Sequence, residues 1–227
     1  MSNNLPYDAW MVTMNNAFVS PRYLKIANDI SDWARDYLMA ENPNIKRPIG
    51  SQEVCPFVGP SIDNDSFYMT FHPEVNGQRD EPIQHIMYGY IDEFKETPPF
   101  ESGGKVKKAL LVIFPEIPSE RTYVLDIVHT KIKTKFVQVG LMAAQFHQNC
   151  DERGVYNRGF RVSLSPYPLI AVRYMALHDI IFLKDNEEWF KAYNLRYGEK
   201  FREPDKLEDY NKPLLGVYLE AKERFLK

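Results

Sequence analysis

"ALLVIFP", residues 109–115, is a continuous apolar run that ends at a proline. A short run without alternation is typical of a central strand that is covered on both faces of a sheet. "DSFYMTFHP", residues 65–73, and "LIAVRY", residues 169–174, are rich in aromatic and β-branched residues and predict two further strands. "FVQVGLMAAQF", residues 136–146, predicts another strand, although its periodicity also allows a helix at its centre.

Helical patterns alternate with these strands. "SPRYLKIANDISDWARDYLMAEN", residues 20–42, predicts an amphipathic helix with Ser20 as a candidate N-cap and Pro21 in its first turn. In contrast, "VCPFVGP", residues 54–60, has two prolines and a glycine, which predict irregular backbone. Further helices are predicted over residues 80–94, 119–136, 186–198 and 209–225. In the second of these, the residues predicted to face the core are Val124, Ile127, Val128 and Ile132.

Helices and strands interleave without a repeat, a linker or a low-complexity segment. The loops are short enough for hairpins as well as for crossovers. The sequence therefore predicts a single α+β domain over residues 1–227, with a mixed, mostly antiparallel sheet and helices packed on it.

Composition limits the function classes. A net charge of −3 gives no basic field for nucleic acid or for an anionic membrane. The N-terminus does not resemble a secretory signal, and no apolar run approaches the roughly 18–20 residues that cross a bilayer. Only two cysteines occur, Cys55 and Cys150, so we expect a reduced, cytoplasmic protein without a disulfide framework.

The common catalytic and nucleotide-binding motifs are absent, which leaves single residues as candidates. His72 and His147 each follow a phenylalanine at the end of an apolar strand, where a sheet can present side chains to a pocket. Cys55, which precedes a proline, could act as a nucleophile or ligate iron, or it could simply be a small buried apolar residue. We take His72 and Cys55 as candidate catalytic residues. Either histidine could equally be a satisfied core residue.

A metal at His147 is one hypothesis. Zinc or non-haem iron usually has three protein ligands. Near His147, the sequence offers only the loop carboxylates Asp151 and Glu152 and, with weaker support, the thiol of Cys150. A single axial histidine is enough for haem, so haem fits the number of ligands better. Arginines could contact haem propionates or a substrate carboxylate, or form internal salt bridges. The candidates are Arg158, Arg161 and Arg173.

Several motifs carry a family resemblance over roughly residues 45–200. The "CPF" turn at residues 55–57, "GLMAAQFH" at residues 140–147 and the "SPYP" segment before the strand at residues 169–174 resemble an uncharacterised bacterial domain family. More distantly, the pattern is similar to the YqcI/YcgG family, which includes haem-dependent N-oxygenases that act on arginine and other guanidine substrates. This resemblance implies haem b with His147 as its axial ligand. Gln148 stands where members of that family often have proline.

Three functional hypotheses follow. The first is a haem-dependent monooxygenase that N-hydroxylates an amine or guanidine in biosynthesis, with a small-molecule substrate and a redox partner. The second is a non-catalytic protein that binds haem or a small molecule in the same pocket. The third is a protein-interaction domain, which rests only on aromatic content. The sequence does not decide whether the protein is an enzyme or what its oligomeric state is.

Overall fold

The computed structural model describes residues 12–13, 21–48, 50–100 and 107–226. Helices and strands interleave along these residues, which confirms the α+β class. The strands are β1 (Val12–Thr13), β2 (Phe67–Phe71), β3 (Ala109–Ile113), β4 (Leu141–Phe146) and β5 (Leu169–Tyr174). The α-helices are α1 (Leu24–Trp33), α2 (Val58–Asp63), α3 (Glu81–Glu96), α4 (Val124–Gln138), α5 (Ile180–Leu183), α6 (Glu187–Tyr197) and α7 (Leu214–Phe225).

The five strands form one mixed sheet in the order β1-β2-β3-β5-β4. β2 runs parallel to β3, whereas β1 pairs antiparallel with β2, and β5 pairs antiparallel with β3. β3 is the middle strand, and every one of its side chains is buried. The unbroken apolar run therefore predicted the central strand correctly.

The chain divides into two compact units. The first consists of Met1–Ile132 and Ala143–Arg173, and the second of Lys133–Met142 and Tyr174–Lys227. The prediction of a single domain stays a prediction, and the units are described in turn. No helix within the described residues is both long and apolar enough to cross a membrane.

In the first unit, one face of the sheet packs against α1. Alternation along β2 sends Phe67, Met69 and Phe71 to this face, where Tyr23 stacks on Phe71 with ring centroids 4.9 Å apart. α1 continues into a π-helical turn over Ala34–Leu38, which is closed by the Met39 N–H donating to the Ala34 carbonyl at 3.0 Å. This turn brings Tyr37 to the loop that follows β4.

The opposite face of β2 is tied to α3 by a buried polar network. Thr70 Oγ1 lies 2.8 Å from the Tyr90 hydroxyl, and that hydroxyl lies 2.9 Å from His72 Nε2. Burial raises the pKa of Tyr90 well above its ordinary value, so the hydroxyl stays protonated. His72 Nδ1 completes the network with the Glu74 carboxylate at 2.6 Å.

We expect Tyr90→Phe to lower the free energy of unfolding by about 1–3 kcal/mol, because it leaves His72 Nε2 without its buried partner. Urea denaturation measures this change. Tyr88→Phe is the matched control, because Tyr88 lies on the same helix with its side chain exposed. Equal stability of the two variants would contradict a stabilising role for the network.

The second unit has an aromatic core between its helices. Phe201 and Tyr218 stack with ring centroids 4.2 Å apart, and the Tyr197 hydroxyl donates to the Met175 carbonyl at 2.5 Å. Gly140, with a φ of 79°, makes the turn from α4 to β4, a conformation that favours glycine. The helix predicted near the C-terminus is confirmed as α7, which buries Leu214, Tyr218 and Ala221 along one side.

Three local predictions were wrong. The proline-rich segment at residues 54–60 ends in the short helix α2, because Pro60 occupies the first turn, where its missing N–H breaks no helical bond. Ile127 is 41% exposed although it was assigned to the core face of α4. The segment at residues 136–146 is helical up to Gln138 and extended only from Leu141. Ser20 lies outside the described residues.

Candidate functional site

His147 lies directly after β4 and points into the protein. Phe146 packs edge-on against Trp33 of α1, with ring centroids 5.5 Å apart. Because successive side chains of a strand point to opposite faces, His147 is directed away from α1 and towards α4. Its side chain is only 2% exposed.

Two further side chains meet the imidazole of His147. His147 Nε2 lies 3.2 Å from the Oδ1 atom of Asp126, which is in the first turn of α4. The Cys150 thiol donates to the same oxygen, with Sγ 4.0 Å away. The nitrogen, oxygen and sulfur donors all lie within 4.8 Å of one another. We call these three residues the Asp-His-Cys cluster.

Local hydrogen bonds fix the loop that carries Cys150. The Cys150 N–H donates to the His147 carbonyl at 3.2 Å, which closes a tight turn between the two residues. The Asn149 side-chain amide donates to the Ser119 carbonyl at 2.8 Å and so attaches this turn to the segment just before α4. These two hydrogen bonds hold the loop close to the start of α4 and involve none of the three side chains of the cluster.

Burial and exposure differ within the cluster. Cys150 is 0% exposed, and desolvation raises the pKa of its thiol to about 11, so the sulfur is protonated at neutral pH. The Asp126 side chain is 44% exposed. The cluster is thus closed on the side of the sheet and open to solvent at the carboxylate.

The two buried histidines differ in their hydrogen bonding. Both ring nitrogens of His72 have partners, Glu74 and Tyr90, as expected for a satisfied core residue. His147 has Asp126 on Nε2, but its buried Nδ1 has no hydrogen-bond partner among the residues that the structure describes. Because a carboxylate can only accept, the contact with Asp126 places a proton on Nε2 of His147.

The other predicted site residues lie in separate places. Cys55 is partly buried and packs against the core of the first unit, and it does not belong to the three-donor cluster. The Arg173 guanidinium lies over the Phe57 ring, 4.4 Å from its centroid. Arg158 is exposed in the loop after β4.

Arg161 does contact the site, through the backbone. Its Nε donates to the Cys150 carbonyl at 2.8 Å, and the same Nε lies 3.7 Å from the Asp151 carboxylate. The Tyr37 hydroxyl in turn donates to the Arg161 carbonyl at 2.9 Å. This guanidinium supports the turn that carries Cys150.

Sequence reasoning missed Asp126 and gave too little weight to Cys150. The carboxylates it considered as ligands, Asp151 and Glu152, are exposed to solvent, and Asp151 forms ion pairs with Arg153 and Arg161. Asp126 is not among the residues of α4 that the sequence predicts to face the core. Its separation of 21 residues from His147 matches no short motif, so only the tertiary fold shows that they meet.

The arrangement does not fit a haem on His147. A ligated macrocycle needs open space around the ligating nitrogen, but Nε2 has a carboxylate oxygen 3.2 Å away and the Cys150 sulfur close by. Nδ1 is buried and adjoins the Cβ of its own side chain, where a macrocycle would meet the backbone. Haem ligation stays a prediction from resemblance. The donor set suits a small ion.

Fold and cluster together define an α+β protein with a candidate metal centre where β4 ends. The chain belongs to the family described as Domain of unknown function (DUF6875), whose model matches residues 27–208. This match includes the whole cluster and confirms membership of an uncharacterised domain family. No curated protein and no solved structure matches the chain.

Proposed function

We propose that the protein is a metal-dependent enzyme that acts on a small molecule, with His147 as a ligand of the metal. The observation that carries this proposal is the meeting of a buried imidazole, a carboxylate and a thiol, whose donor atoms lie within 4.8 Å of one another. The carboxylate comes from the first turn of α4, and the other two groups come from the end of β4 and the loop after it.

The donor types favour a transition metal. Imidazole and thiolate suit zinc, iron, cobalt and copper, whereas magnesium and calcium prefer a shell of oxygen atoms. Three protein ligands leave a coordination position for water or substrate, which is the usual arrangement in catalytic rather than structural zinc sites. The exposed edge of Asp126 gives a small ligand a route to that position.

An oxygenase is the form of this activity that we favour, because of the resemblance to the YqcI/YcgG family. The substrate would be an amine or a guanidine, and iron would supply the oxygen chemistry, with electrons from a redox partner. Iron(II) oxygenases use a histidine and carboxylate set with open positions, and His147 with Asp126 supplies part of such a set. The buried side of the site would exclude water from the reaction. A reducing cytoplasm would keep Cys150 as a thiol.

A non-catalytic metal or small-molecule carrier is the second candidate. The observation that favours it is the burial of His147 and Cys150, which leaves only the Asp126 side of the cluster open. A carrier would bind the metal without turning over any substrate.

The test uses the purified full-length protein. We expect elemental analysis to find about one transition-metal ion for each chain after loading with iron(II) or zinc, and oxygen consumption by the iron form with an added reductant and an amine or guanidine. Metal without turnover would support the carrier. Absence of any bound transition metal would reject both forms, and an intense Soret band would reinstate haem.

A further inference from the structure

We infer that Asp126, His147 and Cys150 together hold one non-haem metal ion, with His147 binding through Nε2 and Cys150 as a thiolate. This inference rests on the proposed function and specifies its metal centre. It adds two ligands to the one that the sequence indicated. It also replaces the macrocycle that the distant resemblance implies with a single ion.

Two of the three distances between the donors are close to those of a metal site. In a tetrahedral site with bonds of about 2.1 Å to nitrogen and oxygen and about 2.3 Å to sulfur, neighbouring donors are about 3.4–3.6 Å apart. Nε2 and Oδ1 are separated by 3.2 Å, and Sγ and Oδ1 by 4.0 Å. The third pair, the His147 nitrogen and Sγ, lies within 4.8 Å, so a rotation of the Cys150 side chain that moves Sγ by about 1 Å would bring all three donors into the coordination shell.

The protons can be accounted for. The proton on Nε2 moves to Nδ1, which exchanges one neutral tautomer for the other. The hydrogen bond from Nε2 to Asp126 is lost in this exchange, and bonds from both atoms to the metal replace it. The Cys150 thiol loses its proton to solvent as the metal–sulfur bond forms. Binding of one divalent ion therefore releases one proton. The two charges of the ion are balanced by the carboxylate and the thiolate, so the bound site is neutral.

Charge balance also explains how a buried thiol can serve as a ligand. Without a metal, a buried thiolate beside the Asp126 carboxylate would be an uncompensated charge, and Cys150 instead donates to that carboxylate as a thiol. A divalent cation reverses this preference, because a coordinated thiol is deprotonated outright. Without the ion, the cluster therefore holds a protonated thiol and an imidazole that both hydrogen-bond to the carboxylate. The same three groups become metal ligands only when the ion is present.

A second layer of contacts positions the thiolate. Arg161 holds the Cys150 carbonyl, and the Tyr37 hydroxyl holds the Arg161 carbonyl from the π-helical turn. Turns of this type are frequent at functional sites. Outer contacts of this kind orient metal ligands and contribute to metal affinity. We assign Arg161 and Tyr37 as positioning residues.

Cobalt(II) titration of the full-length protein tests the thiolate directly. We expect one cobalt ion for each chain and an intense near-ultraviolet absorption from thiolate-to-cobalt charge transfer. Cys150→Ser should abolish this absorption, and the variant should bind cobalt(II) at least about tenfold more weakly than the wild type. Cys55→Ser is the matched control, because it removes the other cysteine and should leave both quantities unchanged.

The outcomes separate this inference from the proposed function. Cobalt binding without the charge-transfer band, equal for wild type and Cys150→Ser, would overturn the thiolate ligand but leave a metal on His147. Loss of the band in Cys55→Ser instead would also overturn the assignment. No cobalt binding by the folded wild-type protein would reject the metal site itself. Circular dichroism of each variant establishes that it is folded.

Discussion

Replacing His147 with alanine is expected to lower the affinity for cobalt(II) or zinc by more than about 100-fold. Loss of a residue that only supports a metal ligand lowers metal affinity by about 10–100-fold, and loss of the ligand itself should cost more. The substitution removes the one nitrogen donor and leaves a carboxylate and a thiol. A thiol of high pKa is a poor ligand without the other donors. Titration against a chelator of known affinity measures the change.

His85→Ala is the matched control, because His85 lies on α3 with its side chain exposed and outside the cluster. Its metal affinity should equal that of the wild type. If His147→Ala also bound metal with unchanged affinity, the ion would lie elsewhere on the chain. The central assignment would then be wrong.

Metal affinity is expected to rise with pH, by about tenfold for each unit between pH 7 and pH 9 and so by about 100-fold across the range, if one thiol proton is released. The sign follows from the pKa of Cys150, which burial raises to about 11. Below that value the thiol is protonated, and each added pH unit increases the thiolate fraction tenfold. Chelator-buffered zinc titrations at several pH values measure the slope.

Cys150→Ser provides the comparison for this slope. A serine hydroxyl does not ionise in this range, so the pH dependence should be much shallower in the variant. A slope that is equally steep in both proteins would show that the released proton comes from another group. That result would contradict the thiolate ligand even if the metal itself bound.

The fold was predictable where the local pattern and the tertiary environment agree. The apolar run at residues 109–115 is unambiguous, because every side chain of β3 is buried and no polar position interrupts it. The boundary between α4 and β4 was not predictable in the same way. Its residues are apolar on both sides of Gly140, and only the positive φ of that glycine separates helix from strand.

The candidate site was only partly predictable. The position of His147 at a strand end correctly indicated an inward-facing imidazole, because strand alternation is a local property. The pairing with Asp126 depends on which turn of α4 packs over the end of β4. No short-range pattern specifies that contact, and the carboxylates nearest in sequence are exposed to solvent.

The predicted roles of the arginines show the same limit. The sequence marks Arg173, inside an apolar strand, as a charge that needs a partner, and Arg161 as a candidate anion contact. It does not distinguish an anion from a backbone carbonyl or an aromatic ring. Arg161 donates to the Cys150 carbonyl, and Arg173 lies over Phe57. Phe57 is distant from Arg173 in sequence, whereas Cys150 lies 11 residues from Arg161 in the loop after β4.

Anomalous X-ray diffraction from crystals of the zinc-loaded protein, recorded on both sides of the zinc absorption edge, is the most direct test of the metal centre. We expect a single strong peak within bonding distance of Asp126 Oδ1, His147 Nε2 and Cys150 Sγ. A peak at exposed carboxylates alone, or none in crystals of folded, zinc-saturated protein, would contradict the assignment.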